Sequence, residues 1–216
     1  MTRTPTRRAL LAAATALALP LAGCGSDGPA DDVAAASSAP ATTSAAEAAP
    51  PAPTGPFGPG CAALPPEGPG SPAALAAAPA ATAMSTVPGL TNTMVTVHAA
   101  TLAASLDATQ DLTVLAPVNE AFAAVPPATL DPLLADTPRL TALVTHHVIA
   151  GRLAPGELAG THTTLNGDEV TIEGSGEDFT VVQTVTGTPA SVICGNVQTA
   201  NATVYIVDQV LAPAGA

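Results

Sequence analysis

The spacing of apolar residues divides the chain into four stretches. Residues 9–22 form an apolar run behind the basic segment Met1–Arg8. Residues 25–60 show no period and are dominated by Ala, Pro, Ser, Thr and Gly. From Ser71 to about Thr145 apolar positions recur at helical spacing, and from His147 onward the period falls to two, which is strand spacing.

Within the third stretch, Ser71-Pro72-Ala73-Ala74 offers an N-cap serine followed by proline at the first helical position, so a short helix is expected up to Pro79. Met94, Val97, Thr101 and Leu102 predict a single helix within 91–107. Thr113, Val114 and Leu115 read as a short strand closed by Pro117, which has no N–H for a ladder. Asn119 then stands at the N-cap of a helix running to Val125, with Glu120 at the positive end of its dipole and Phe122 turned to a core. Two more helices are expected over 129–134 and 137–145. Strand candidates follow at 147–150, 168–173, 179–184, 191–194 and 203–207, with turns at Asn166-Gly167 and Gly174-Ser175-Gly176. Helices first and strands later indicate an α+β domain, and the absence of an internal repeat indicates one copy.

The first two stretches read as an address and a tether. The run over 9–22 is too short to span a bilayer and has the form of a secretory signal peptide. It ends in Leu21-Ala22-Gly23-Cys24, which resembles a bacterial lipobox, where the cysteine thiol accepts diacylglycerol. The alternative is an ordinary signal peptide with Cys24 incidental. The expected division is a lipoprotein signal peptide over 1–23, a disordered linker over 24–60 and the folded domain over 61–216. The linker composition cannot bury enough apolar surface to offset its ordering entropy. A lipid anchor makes the membrane one partner, on the extracytoplasmic face, in the cell wall or shed.

Charge narrows the partners further. Lysine is absent, and three of the five arginines (Arg3, Arg7, Arg8) precede Cys24. The processed chain would set Arg139 and Arg152 against 17 acidic side chains. Such a surface repels nucleic acid and anionic headgroups and favours a soluble monomer. With 2% aromatics and no tryptophan, the core must be aliphatic.

There are three cysteines, Cys24, Cys61 and Cys194. If lipidation consumes Cys24, the other two can pair in an oxidising compartment or stay as free thiols.

Three segments carry a family resemblance. Thr113 to Phe122 (with Pro117 and Asn119) resembles the first signature motif of fasciclin (FAS1) domains, and Asn201 to Pro213 (with Asp208) resembles the second. Leu143 to Ile149, containing His146 and His147, is similar to the segment between them. The runs at 160–165 and 193–195 resemble the secreted and lipid-anchored mycobacterial single-domain members. The resemblance implies a wedge of two small β-sheets covered by helices, and a bridge between Cys61 and Cys194. It assigns structural roles to Thr113, Pro117, Asn119, Phe122, His147, Asn201 and Asp208. By the same resemblance, partner contacts would fall at His146, Asn196, Val197 and Tyr205. Asn196-Val197 stands where integrin-binding members carry an Asp-Ile pair, so integrin binding is not expected.

No nucleophile elbow, zincin spacing or phosphate loop is present. Adjacent histidines on a strand would face opposite ways and could not share a metal, so one of them is expected to pack inside and the other to be exposed. Asn201-Ala202-Thr203 matches a glycosylation sequon, but a structural role is expected there. The expectation is a non-enzymatic, cofactor-free, metal-free envelope protein that mediates adhesion or binds a protein or polysaccharide, with a carrier or sensor of a small apolar ligand such as a lipid, held in the wedge, as the alternative.

Overall fold

The computed structural model describes residues 54–213. The expected signal peptide over 1–23, Cys24 and the expected linker up to residue 53 lie outside the described residues.

The helical half begins with α1 (Pro72–Ala76), where the Ser71 hydroxyl accepts the Ala74 N–H at 3.3 Å. Next comes α2 (Ala80–Met84). The single helix expected within 91–107 is two, α3 (Thr91–Ala99) and α4 (Ala103–Ala108). The break is a Schellman turn. Leu102 N–H reaches back to Val97 O at 3.1 Å, Thr101 N–H to His98 O at 2.9 Å, and Thr101 takes φ 59°. Strand β1 (Leu112–Pro117) passes through Val118 into α5 (Asn119–Ala124), then α6 (Pro127–Ala135) and α7 (Thr137–His146) follow. Asp136 caps α7, accepting the Arg139 N–H at 3.1 Å. Among the described residues no helix is long and apolar enough to cross a membrane.

The remaining strands are β2 (Val148–Ala150), β3 (Gly160–Thr163), β4 (Glu169–Ser175), β5 (Asp178–Val181), β6 (Ala190–Gln198) and β7 (Ala202–Val207). The β4–β5 turn falls later than expected, at Gly176-Glu177, because Gly174 and Ser175 belong to β4. The sheet order is β2-β1-β7-β6-β5-β4-β3. Only β1 and β7 run parallel, from Leu112 opposite Ala202 to Pro117 opposite Val207. Every position of this central pair is buried, as a parallel pair covered on both faces requires. The two expected sheets share β6, which bonds β5 at its start and β7 along its length. Two register shifts on either side of Cys194 bend β6 between them. The far ends approach as well, since Ile149 bridges Thr164 and Leu165 N–H donates to Val148 O at 2.7 Å.

Strand alternation sorts the core into two clusters. Leu112, Val114, Val204 and Ile206 face the helices with Leu90, Met94, Phe122 and Leu143. Leu115, Tyr205 and Val207 face the opposite side with Ile172, Phe179 and Val181. Phe57 belongs to this second cluster, which corrects the expected domain boundary at Cys61. Its backbone exchanges two hydrogen bonds with Gly195 (3.1 and 2.8 Å), and its ring lies 6.1 Å from Phe179 and 6.4 Å from Tyr205. The prolines and glycines around Phe57 give the segment a linker's composition. One aromatic side chain with a slot to fill overrides that local composition. A Cys61–Cys194 disulfide follows directly, with Cα atoms 4.8 Å apart, and fastens this strap to β6.

Candidate functional site

The first motif holds β1 and its neighbours in place. Thr113 Oγ1 donates to Gly151 O and accepts the Leu153 N–H, both at 2.8 Å, fixing the exit of β2. Pro117 ends β1, and its carbonyl accepts the Thr93 hydroxyl from α3. Asn119 is not the N-cap of its own helix, where Val118 stands without a side-chain bond. Its Oδ1 instead accepts the Asn92 N–H at 2.9 Å and its Nδ2 donates to Pro88 O at 3.0 Å, so it caps α3. Asp107 caps α2 in the same way, accepting the Ala81 N–H at 2.7 Å. Phe122 packs in the helix-side core.

The histidines end a helix rather than lie on a strand. His146 closes α7, and both rings are buried, which corrects the expectation that one is exposed. His147 Nδ1–H donates to Leu143 O at 2.8 Å, and its Nε2 accepts the Leu211 N–H at 3.0 Å. Burial lowers its pKa to about 4, opposed by the bond to Leu143 and aided by His146, so the ring is neutral and ties α7 to the C-terminal segment. His146 Nδ1 pairs with Asp168 Oδ1 at 2.8 Å, which fastens the β3–β4 turn to α7, while Nε2 has no partner among the described residues.

In the second motif, Asn201 is buried. It donates to Leu106 O (2.7 Å) and Thr109 O (2.6 Å) and accepts the Ala80 N–H (2.8 Å). An amide so engaged cannot carry a glycan. Asp208 joins β7 to β6 through the Ser191 N–H at 2.6 Å.

The four residues assigned to partner contact are all buried, and that assignment is corrected. Tyr205 sits on a central strand covered on both faces. Its hydroxyl donates to Leu153 O at 3.0 Å, and burial first, then Glu157, push its pKa up. Val197 points into the helix-side core. Asn196 sits in the β6 bulge at φ 55° beneath the strap, its Nδ2 donating to Gly55 O at 3.2 Å. His146 is enclosed as described. Among the described residues, no group of three or more His, Cys, Asp or Glu could hold a metal.

A fasciclin domain family model matches residues 88–213. The chain belongs to the fasciclin domain family. The cell surface glycolipoprotein MPB83 of Mycobacterium bovis is 45% identical over 103 residues, 48% of this chain and 44% of that protein. The immunogenic protein MPB70 of Mycobacterium bovis is 45% identical over 101 residues, 47% of this chain and 49% of that protein. Protein sll1483 of Synechocystis is 32% identical over 120 residues, 54% of this chain and 63% of that protein. The chain thus spans about half the length of the mycobacterial relatives it matches. Among solved structures, a FAS1 domain pair from the insect cell adhesion molecule Fasciclin I aligns at TM-score 0.45 and 24% identity, over 57% of this chain and 45% of that chain. The fasciclin motifs of this chain thus act as internal fasteners, and its outward surface lies elsewhere.

Proposed function

We propose that this chain is a lipid-anchored envelope protein that displays one fasciclin domain to bind a protein or polysaccharide and transforms no substrate. The observation that carries this reading is the fasciclin match joined to relatives named as a cell surface glycolipoprotein and an immunogenic protein. The Leu21-Ala22-Gly23-Cys24 segment supports anchoring at Cys24. Two or more acyl chains give stable attachment where a single chain does not. The domain's titratable residues support a binding role over catalysis, because its one strongly shifted histidine is locked at both nitrogens. Thirteen carboxylates against two arginines over 54–213 favour a neutral or cationic partner over an anionic one.

The interior does not favour the carrier reading. Between helices and sheet lies a cavity of about 30 Å³ lined by Met84, Val97, Leu106, Val114, Phe122 and Leu143. That is an order of magnitude below the ~300–1,000 Å³ of small-molecule sites. The test of the binding role is photo-crosslinking of the full chain in its own intact envelope. Recovery of a specific protein or polymer adduct, lost when exposed domain residues are changed, supports the reading. Labelling indistinguishable from an unrelated lipoprotein with the same anchor would count against it.

A further inference from the structure

A depression on the described surface has a volume of about 670 Å³, within the ~300–1,000 Å³ range of small-molecule sites. It lies among α6, α7, residues 184–185 and residues 212–213. Helix α6 contributes Pro132 and Leu133, and none of its residues is fully buried. Val185 and Pro213 come from a paired segment, where Val185 N–H donates to Val210 O at 2.9 Å and Ala212 N–H to Gln183 O at 3.2 Å. That pairing makes a firm wall. Helix α7 supplies Ala142 and Arg139.

Arg139 sets the chemistry. It and Arg152 are the only arginines over 54–213, where there is no lysine. Arg152 is occupied within the fold, donating to Gln198 Oε1 (3.0 Å) and Thr199 O (3.1 Å). The Arg139 side chain is 71% exposed, and its Nε lies 3.5 Å from Asp136 Oδ2. An exposed pair of this kind is weak and easily exchanged. A mostly aliphatic groove therefore carries the one guanidinium turned to solvent among the described residues.

The rest of the surface selects the ligand. Thirteen carboxylates over 54–213 repel a polyanion or an anionic bilayer, so a single negative charge is what this site tolerates. No aromatic ring lines this groove, so it offers nothing to stack on a sugar or a base. What fits is an aliphatic body with one carboxylate. We propose that this groove binds a free long-chain fatty acid, its chain along Pro132, Leu133, Ala142, Val185 and Pro213 and its carboxylate on Arg139. This site does not depend on the anchor or on the partner proposed above.

The test uses the full chain with Cys24→Ala, titrated calorimetrically with sodium dodecanoate below its micelle concentration and, separately, with dodecyltrimethylammonium. The expected result is saturable one-to-one binding of dodecanoate. Arg139→Gln should weaken it about tenfold, the scale of one charge-assisted hydrogen bond, and should not weaken binding of the cationic amphiphile. Ala142→Trp should abolish it, and if that variant melts early, Thr129→Trp on exposed α6 reads the same occupancy. Non-saturable heats, full affinity in Arg139→Gln, or full affinity in both tryptophan variants would overturn the site. Association of the chain with phosphatidylglycerol vesicles in place of free dodecanoate would overturn the choice of ligand.

Discussion

Replacing Gly195 by alanine tests how the strap is held. The alanine Cβ would lie 2.3 Å from Phe57 Cζ and 2.7 Å from both Cε atoms, where ordinary contact begins at 3.4 Å. Gly195 is not in the left-handed region, so alanine adds no backbone strain there. The ring would have to retreat by about 1 Å to recover normal contact. Phe179 and Tyr205 flank it, and two backbone hydrogen bonds hold Phe57 to the same strand. The ring therefore leaves its slot, and the cost approaches that of truncating Phe57, about 3–5 kcal/mol for a buried phenylalanine. We expect Gly195→Ala to lose about 3 kcal/mol, lowering Tm by about 6–12 °C for a domain of this size. In a Phe57→Ala background the same change meets no ring and should fall within about 1 kcal/mol of neutral. The assay is a double-mutant cycle by urea denaturation of the oxidised chain, with a coupling of about 2–3 kcal/mol expected. An equal cost of Gly195→Ala in both backgrounds would refute the reasoning.

Three further predictions follow from the fasteners. His147 takes up a proton near pH 6.5 when unfolded but only near 4 when folded. Its contribution is therefore complete above 6.5 and is lost as pH falls toward 4, by about 3 kcal/mol in all. Urea midpoints between pH 7.5 and 4.5 should fall less steeply in His147→Leu than in the parent chain. Asn201→Ala strands the Ala80 N–H and the buried Leu106 carbonyl and frees the Thr109 carbonyl, and should cost about 2–4 kcal/mol, read as a lowered urea midpoint with unchanged slope. Thr101→Gly relieves a β-branched residue at φ 59° and should raise stability by about 0.5–1 kcal/mol in the same assay.

Elements whose signals are local could be read from the sequence. Ser71 and Pro72 announce α1, and the alternating residues of β4 and β5 announce a hairpin. The family was legible for the same reason, because its motifs are contiguous. Elements fixed from a distance were not. Helix α2 follows Pro79 without a cap of its own, and its free N–H groups are met by Asp107 and Asn201. Helix α3 is capped by Asn119, whose carboxamide has the expected cap chemistry but serves a different helix. Strand β3 is polar and largely exposed, so no apolar alternation marks it. His146 and His147 fall where the period changes from helix to strand, and a one-residue difference in that boundary turns opposed strand residues into two buried helix-end rings. The groove proposed for a fatty acid draws on α6, α7 and two segments near the C-terminus, which no sequence spacing brings together.

The central proposal is that acyl chains at Cys24 hold this domain at the cell surface. Intact mass of the chain extracted from its own envelope tests this most directly. It should begin at Cys24 and carry diacylglycerol on the thiol, and Cys24→Ala should appear in the medium instead. An extracted chain with an unmodified first residue, or a Cys24→Ala chain retained on the cell as firmly as the parent, would contradict it.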